Sequence, residues 1–169
     1  MSLMKRIVLI LLVLLAAFSL SAATTKGSMS SLEAVDYYGN TVTAEIFKPY
    51  DVTMVNIFTT WCTYCLREIP DIRQIRKDLP ENANVIAICA DAFEAPSDLK
   101  DIMEFFSIDY TVLKMKTEEV KKFYSVLGYP TTLFVGSNGD ILDVQVGLPK
   151  LGAYLGYTSK INKILEQIQ

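Results

Sequence analysis

One segment, Val52 to Pro70, organises the chain, and it reads VTMVNIFTTWCTYCLREIP. Its apolar, β-branched run from Val52 to Phe58 predicts a strand, and a segment with helical spacing begins at Cys62. A Cys-x-x-Cys pair at the point where a strand gives way to a helix is suited to dithiol chemistry. The unpaired backbone N–H groups and the positive dipole end at a helix start stabilise a thiolate. We therefore expect an exposed, attacking Cys62 and a better shielded, resolving Cys65.

Other uses of the cysteine pair fit the sequence less well. A purely structural disulfide this short restrains little chain, because stabilisation grows with the length of the closed loop. A zinc site needs further cysteines or histidines, and the chain has 3 cysteines and no histidine. Haem attachment needs a histidine directly after the pair, where this chain has Leu66. The third cysteine, Cys89, lies in an apolar run from Asn84 to Ala90 and is expected to fill core space.

The predicted helix is expected to end at about Leu79. Among its charged residues, Glu68 has the most unusual position. At about 100° per residue it falls within the apolar arc of that helix. The members of this arc are Cys65, Ile69, Ile72, Ile75 and Leu79. A solvated surface charge is the alternative interpretation. Burial would raise the pKa of Glu68 toward neutrality, where the carboxyl group can shuttle the proton of Cys65.

The N-terminal residues have the pattern of an export leader. Lys5 and Arg6 precede an apolar run from Ile7 to Phe18, and small residues follow as far as Ala23. This pattern predicts a signal peptide over residues 1–23 that is cleaved after Ala23. An uncleaved membrane anchor is the alternative, although the apolar run is short for a full membrane span.

Behind the leader the chain has room for one domain. Residues 24–30 are small and polar and predict a linker, and residues 31–169 are long enough to bury a core. Without residues 1–23 the chain has 14 basic and 19 acidic residues and a net charge of −5. It has no basic run, so nucleic-acid binding has no electrostatic support. We expect an extracytoplasmic protein (periplasmic, or anchored and facing outside) that contacts a membrane only through an uncleaved leader.

Strands and helices alternate along the predicted domain. A turn signal at Tyr38-Gly39-Asn40 predicts an N-terminal β-hairpin, and a helix, a strand and a second helix fit between Asp91 and Gly128. Ser137-Asn138-Gly139-Asp140 predicts a closing hairpin, and Ile161 to Ile168 predicts a terminal helix. This order predicts an α/β fold with a mostly parallel sheet and helices on both faces. The cysteine pair then lies at the carboxyl edge of a central strand.

Two motifs carry a resemblance to a known fold. The segment from Asn56 to Pro70 resembles the active-site segment of the thioredoxin fold and is most similar to extracytoplasmic TlpA/ResA-type thiol–disulfide oxidoreductases. Gly128-Tyr129-Pro130-Thr131-Thr132 is similar to the cis-proline loop of that fold. The resemblance covers about residues 31–168. It implies a thioredoxin-like mixed sheet with helices on both faces, an N-terminal β-hairpin and an inserted helix–strand.

The resemblance also implies roles for individual residues. Cys62 would be the nucleophile, Cys65 the resolving thiol, and Glu68 the carboxylate beside the resolving cysteine. Pro130 would be the cis-proline packed against the disulfide, whereas an ordinary X-Pro bond is trans.

The implied substrate-binding surface consists of Trp61, Tyr129, Pro130 and Thr131, with Tyr129 offering its backbone to an extended substrate. Trp61 could equally be an aromatic residue at the edge of the core.

The sequence also departs from the family pattern. Thr63-Tyr64 replaces the more usual Pro-containing dipeptide, and Phe58 stands where the family often has tryptophan. Asn56 takes the place of the buried aspartate of thioredoxin, which moves any proton-handling role toward Glu68.

The implied activity is exported thiol–disulfide oxidoreduction, and the subgroup favours a reductant. Its substrates would be protein thiols or disulfides, for example in cytochrome maturation, and a membrane electron donor would recharge it. Neither a metal nor an organic cofactor is implied, because the thiols carry the electrons. An oxidase or isomerase of the same fold, a peroxidase-like enzyme and a non-catalytic binding module are the alternatives.

Overall fold

The structure, a computed structural model, describes residues 27–168. The leader predicted for residues 1–23 therefore lies outside the described residues. The strands are β1 Glu33–Asp36, β2 Thr41–Thr43, β3 Val52–Phe58, β4 Ala83–Cys89, β5 Thr111–Lys114, β6 Thr131–Gly136 and β7 Ile141–Val146. The α-helices are α1 Thr63–Asp78, α2 Pro96–Phe105, α3 Thr117–Tyr124 and α4 Ala153–Ile168, and a 3-10 helix spans Ala44–Phe47.

The strands form one mixed sheet in the order β2-β1-β5-β4-β3-β6-β7. Only the central strands β5, β4 and β3 are parallel to one another, and the remaining neighbours pair antiparallel. The mostly parallel sheet predicted from the alternation of elements is therefore wrong. The alternation of strands and helices correctly indicates the parallel connections from β3 through α1 to β4 and from β4 through α2 to β5. Both edges of the sheet, however, are formed by hairpins, whose strands run antiparallel.

The predicted N-terminal β-hairpin and the inserted helix–strand meet in the structure. Strands β1 and β2 form the hairpin, and β1 pairs with the inserted strand β5. The second hairpin strand is short and ends at Thr43. Thr43 accepts a hydrogen bond from the Glu45 backbone N–H at 3.4 Å, and the chain turns there into the 3-10 helix.

Strand β3 is the centre of the fold, and all of its residues are buried. Met54 and Phe58 pack on one face of the sheet in a cluster with residues of α1, α2 and α4. Val55 and Ile57 pack on the other face with residues of α3 and the 3-10 helix. Helices therefore cover both faces, as predicted.

Part of the predicted linker packs on the domain. Met29 is fully buried, and its backbone N–H donates to the Gly139 carbonyl in the β6–β7 turn at 2.7 Å. Ser28 forms an isolated antiparallel bridge with Asp140. Residues 27–30 therefore contact the core although their composition is that of a tether. Among residues 27–168, no helix is both long enough and apolar enough to cross a membrane.

Candidate active site

The site forms where β3 ends and α1 begins. Strands β3 and β4 are parallel, so their carboxyl ends share one edge of the sheet. Strand β6 runs antiparallel to β3 and begins at that edge, with Thr131 paired to Ile57. The loop before β6 is therefore brought beside the start of α1, which unites the two motifs that the sequence singled out.

Cys62 is the N-cap residue of α1, as predicted. Its Sγ accepts a hydrogen bond from the Cys65 backbone N–H at 3.2 Å. This N–H is one of the donors that a helix start leaves without a backbone partner. The bond and the helix dipole both favour negative charge on the Cys62 sulfur when the pair is reduced.

Cys62 and Cys65 are joined by a disulfide, with their Cα atoms 5.3 Å apart. The expectation of an exposed Cys62 is wrong for this oxidised form, since the residue is only 5% exposed, against 0% for Cys65. Its sulfur is bonded to Cys65, and the residue packs in the apolar cluster on the α1 face of the sheet. The predicted order of exposure is nevertheless correct, because Cys65 is less exposed than Cys62.

The loop before β6 contains the cis-proline that the resemblance implied. The Tyr129–Pro130 peptide bond is cis, and Pro130 is buried. The Trp61 and Tyr129 rings meet edge to face with centroids 6.1 Å apart. Trp61 is 71% exposed, so it is a surface aromatic and not a member of the core edge.

Thr131 contributes to this loop differently from the other predicted residues. Its side chain is buried, and its hydroxyl donates to the Gly128 carbonyl at 2.7 Å. The side chain therefore stabilises the loop and is not part of its exposed surface. Exposed aromatic surface at this edge comes from Trp61, from the half-buried Tyr129 and from Tyr64.

Glu68 lies inside the protein, one helical turn after Cys65. It is 2% exposed, and burial raises its pKa to about 7. Two hydrogen bonds work against that rise: Asn56 Nδ2 donates to Oε1 at 2.7 Å, and the Tyr157 hydroxyl donates to Oε2 at 2.8 Å. The negative charge of Asp71 raises the pKa further. The apolar arc therefore placed Glu68 correctly, and residues three apart on a helix are neighbours.

The partners of Glu68 were not all predictable. Asn56 was noted only as a replacement for an aspartate, yet it contacts Glu68 directly. Tyr157 is 89 positions from Glu68 in the sequence. The Thr132 hydroxyl accepts a hydrogen bond from Asn56 Nδ2 at 3.1 Å. Tyr157 does lie on the apolar face of α4, but a tyrosine there is indistinguishable in sequence from a core aromatic.

Asp91, which the sequence did not single out, supports the turn between β3 and α1. It is buried, and it accepts hydrogen bonds from the backbone N–H and the hydroxyl of Thr60. The thiol of Cys89 also donates to Asp91, at 3.3 Å. Burial raises the pKa of Cys89, and the negative charge of Asp91 adds to the rise. Cys89 is therefore a buried, protonated thiol, in agreement with its predicted role as core filler.

Within residues 27–168, no cluster of three or more His, Cys, Asp or Glu side chains has an arrangement that would hold a metal ion.

Comparison with known proteins gives consistent similarities. A family model described as the AhpC/TSA family matches residues 25–144. The thiol-disulfide oxidoreductase ResA of Oceanobacillus iheyensis is 28% identical over 109 residues, which cover 64% of this chain and 56% of that protein. The thioredoxin-like protein YneN of Bacillus subtilis is 25% identical over 126 residues, which cover 72% of this chain and 74% of that protein.

A solved structure agrees with the fold. The crystal structure of a thiol:disulfide interchange protein, a thioredoxin family protein from Chlorobium tepidum TLS, has a TM-score of 0.69 at 24% identity. The superposition covers 82% of this chain and 96% of that one. The thioredoxin-like fold and the resemblance to ResA-type proteins are thereby confirmed. The chain nevertheless spans little more than half, 56%, of the Oceanobacillus protein.

Proposed function

The chain belongs to the AhpC/TSA family, and we propose that it is a thiol–disulfide oxidoreductase that reduces protein disulfides through Cys62 and Cys65. It has the thioredoxin-like fold and the paired cysteines of the oxidoreductases that it resembles. The observation that carries the proposal is the disulfide at the start of α1, with the cis-proline loop at the same edge of the sheet and Glu68 buried behind Cys65.

The reaction uses the dithiol in two steps. The Cys62 thiolate attacks one sulfur of a substrate disulfide, forms a mixed disulfide, and releases the other substrate sulfur as a thiolate. Cys65 then loses its proton and attacks the Cys62 sulfur, which releases the second substrate thiolate and leaves the Cys62–Cys65 disulfide. The substrate gains two electrons, and an external dithiol donor must supply two electrons to reduce the Cys62–Cys65 disulfide again.

Glu68 takes the proton of Cys65 in the second step. With a pKa of about 7, its carboxyl group is close to half ionised at neutral pH, so it can both accept and release a proton. Glu68 follows Cys65 by three residues, so the two side chains are neighbours on one face of α1.

The charge at the site favours the reducing direction. A dithiol is a strong oxidant when its reduced form is stabilised, as a neighbouring cation does for a thiolate. Here the ionisable group that α1 places behind Cys65 is a carboxylate, which disfavours a second negative charge beside it. The hydrogen bond from the Cys65 N–H to Cys62 acts in the opposite sense and is the observation that favours an oxidase or isomerase.

We extend the proposal to the compartment and the substrate surface. The leader at residues 1–23 exports the domain, or anchors it facing outside, and a membrane dithiol donor recharges it. Trp61, Tyr129 and Pro130 form the surface against which an extended substrate lies, and Tyr129 supplies backbone groups to it.

Trapping tests the activity. In Cys65→Ser the second step is blocked, so the reduced variant should accumulate protein substrates covalently bound to Cys62, and the double variant Cys62→Ser/Cys65→Ser should accumulate none. Absence of trapped protein, together with turnover of peroxide by the Cys65→Ser variant, would instead support a peroxidase-like enzyme. Partner binding that persists in the double variant would support a binding module.

Redox equilibrium with glutathione tests the direction. A reductant should have a reduction potential near that of thioredoxin, about −270 mV, and a potential near about −120 mV would overturn the reductase proposal.

A further inference from the structure

Four polar side chains form a buried hydrogen-bonded cluster at the centre of the domain. Asn56 on β3 and Tyr157 on α4 each bind one oxygen of Glu68, at 2.7 and 2.8 Å. Asn56 Nδ2 also donates to the Thr132 hydroxyl at 3.1 Å. Glu68, Asn56, Thr132 and Tyr157 are all buried, so water does not replace these partners.

We propose that Tyr157, together with Asn56 and Thr132, is a positioning residue that fixes the Glu68 carboxylate beside Cys65 and favours its ionised form. The inference rests on the proposed function, because it concerns the group that exchanges a proton with Cys65. It goes further by assigning the control of that group to residues on β3, β6 and α4.

The two oxygens of the carboxylate are held by donors from two different elements. Asn56 lies in the sheet beneath α1, and Tyr157 lies on α4, which packs against α1. A hydrogen bond to an ionised carboxylate is stronger than a hydrogen bond to a neutral group. The bonds from Asn56 and Tyr157 therefore offset part of the free-energy penalty for burying the Glu68 charge, and they restrict the rotation of its side chain.

Other ionisable groups also face Glu68. The charge of Asp71 on α1 adds to the rise in the pKa of Glu68. Burial and then the Glu68 charge raise the pKa of Tyr110, which lies just before β5. The Cys62–Cys65 disulfide carries no charge, and β3 and β6 contribute neutral side chains, Asn56 and Thr132. The donors that lower the pKa of Glu68 are Asn56 and Tyr157. Burial and the Glu68 charge raise the pKa of Tyr157 itself, so the hydroxyl stays protonated and remains a donor at neutral pH.

The direct test is the titration of Glu68 in oxidised protein, followed by the carbon-13 resonance of its side-chain carboxyl. In Tyr157→Phe the carboxylate loses one donor, and its midpoint should rise from about 7 by about one pH unit, the order expected of one hydrogen bond to a charged group. Thr132→Val, which removes the second acceptor of Asn56 Nδ2, should give a smaller rise.

Tyr154→Phe is the matched control. Tyr154 lies on the same helix, and its hydroxyl bonds the Asp78 carboxylate at 2.7 Å at the outer end of α1. This variant loses a tyrosine–carboxylate bond between α4 and α1 without changing the cluster around Glu68, so the Glu68 midpoint should not move. An unchanged midpoint in Tyr157→Phe, or an equal shift in Tyr154→Phe, would overturn the inference.

A double variant separates this inference from the proposed role of Glu68. The pH profile of disulfide reduction should shift upward in Tyr157→Phe, and adding Tyr157→Phe to Glu68→Gln should change the profile no further. If Glu68→Gln alone leaves the profile unshifted while Tyr157→Phe still moves the Glu68 titration, the positioning role is supported and the proposed proton transfer is overturned. If Glu68→Gln shifts the profile and Tyr157→Phe moves neither profile nor titration, only the positioning role fails.

Discussion

Both carboxylate oxygens of Asp91 are bound to Thr60. The Thr60 backbone N–H donates to Oδ1 at 2.9 Å and its hydroxyl donates to Oδ2 at 2.8 Å. Asp91 follows β4, and Thr60 lies in the turn that leads through Trp61 to Cys62. A carboxylate that follows the neighbouring strand β4 therefore holds the turn that leads to Cys62.

Removing this carboxylate should weaken both the domain and the site. In Asp91→Ala, two buried donors of Thr60 lose their partner, which should lower the unfolding free energy by about 1–3 kcal/mol. The attack by Cys62 on a model disulfide should slow as well, because the turn before it is no longer held. Urea unfolding and stopped-flow kinetics measure the two effects.

The exposed Glu94 in the same loop provides the control. Glu94→Ala should leave stability within about 0.5 kcal/mol and the attack rate unchanged, as is usual for surface changes. Equal effects of the two substitutions would contradict a specific role for Asp91.

Glu68 should make the oxidised protein less stable as the pH rises. Its pKa is about 7 in the folded protein, against a usual value of 4.5. Between these values the folded state keeps a proton that the unfolded chain has lost, so the stabilisation is complete below about pH 4.5 and is lost as the pH rises through 7. The shift corresponds to roughly 3 kcal/mol.

Urea titrations of oxidised protein at several pH values measure this effect. Wild type should lose stability between pH 5 and pH 8 relative to Glu68→Gln, which has no carboxyl group to ionise. The chain has no histidine to titrate in the same range. A difference between the two proteins that does not vary with pH would mean that Glu68 is not protonated on folding.

Cys89 should stay unreactive in the folded protein. It is fully buried, and burial together with the Asp91 charge raises its pKa, so the thiolate that alkylating agents require is scarce. Iodoacetamide should label Cys62 first after mild reduction and should label Cys89 only when denaturant is added. Mass spectrometry of the labelled peptides decides, and rapid native labelling of Cys89 would show that its strand opens.

Trp61 should matter for protein substrates more than for stability. Because the side chain is largely exposed, Trp61→Ala should change the unfolding free energy by no more than about 0.5 kcal/mol. The loss of an aromatic contact should nevertheless raise KM for a protein disulfide several-fold and leave the reaction with a small aliphatic disulfide little changed.

Phe105→Ala is the matched surface change for Trp61→Ala. Phe105 is also exposed, and it ends α2, which runs away from the edge of the sheet that holds the disulfide. It should affect neither substrate. Equal KM changes in the two variants would contradict a docking role for Trp61.

The sequence predicted the features that depend on local order. These features are the strand-to-helix transition at Cys62, the apolar arc that contains Glu68 and the turn at Asn138-Gly139. Each depends on residues that are close in the sequence, and each is present in the structure. The cis bond before Pro130 was predictable only through the resemblance, because an isolated X-Pro bond is usually trans.

The features that were missed depend on distant contacts. Nothing near Tyr157 in the sequence indicates that its hydroxyl meets Glu68, and nothing near Asp91 indicates Thr60. The burial of Cys62 follows from the disulfide and from packing against the cluster on its face of the sheet, which spacing alone does not reveal. The burial of Met29 likewise needs the β6–β7 turn to be in place.

That burial of Met29 fixes where the polypeptide enters the domain. The β6–β7 turn, to which residues 28 and 29 are joined, lies at the end of the sheet where β3 begins, and Cys62 follows the end where β3 stops. The length of β3, roughly 20 Å, separates the two ends. If a bilayer held this protein by its entry end, the edge of the sheet that carries the disulfide would face away from the membrane, on the side where proteins as large as folded domains can approach.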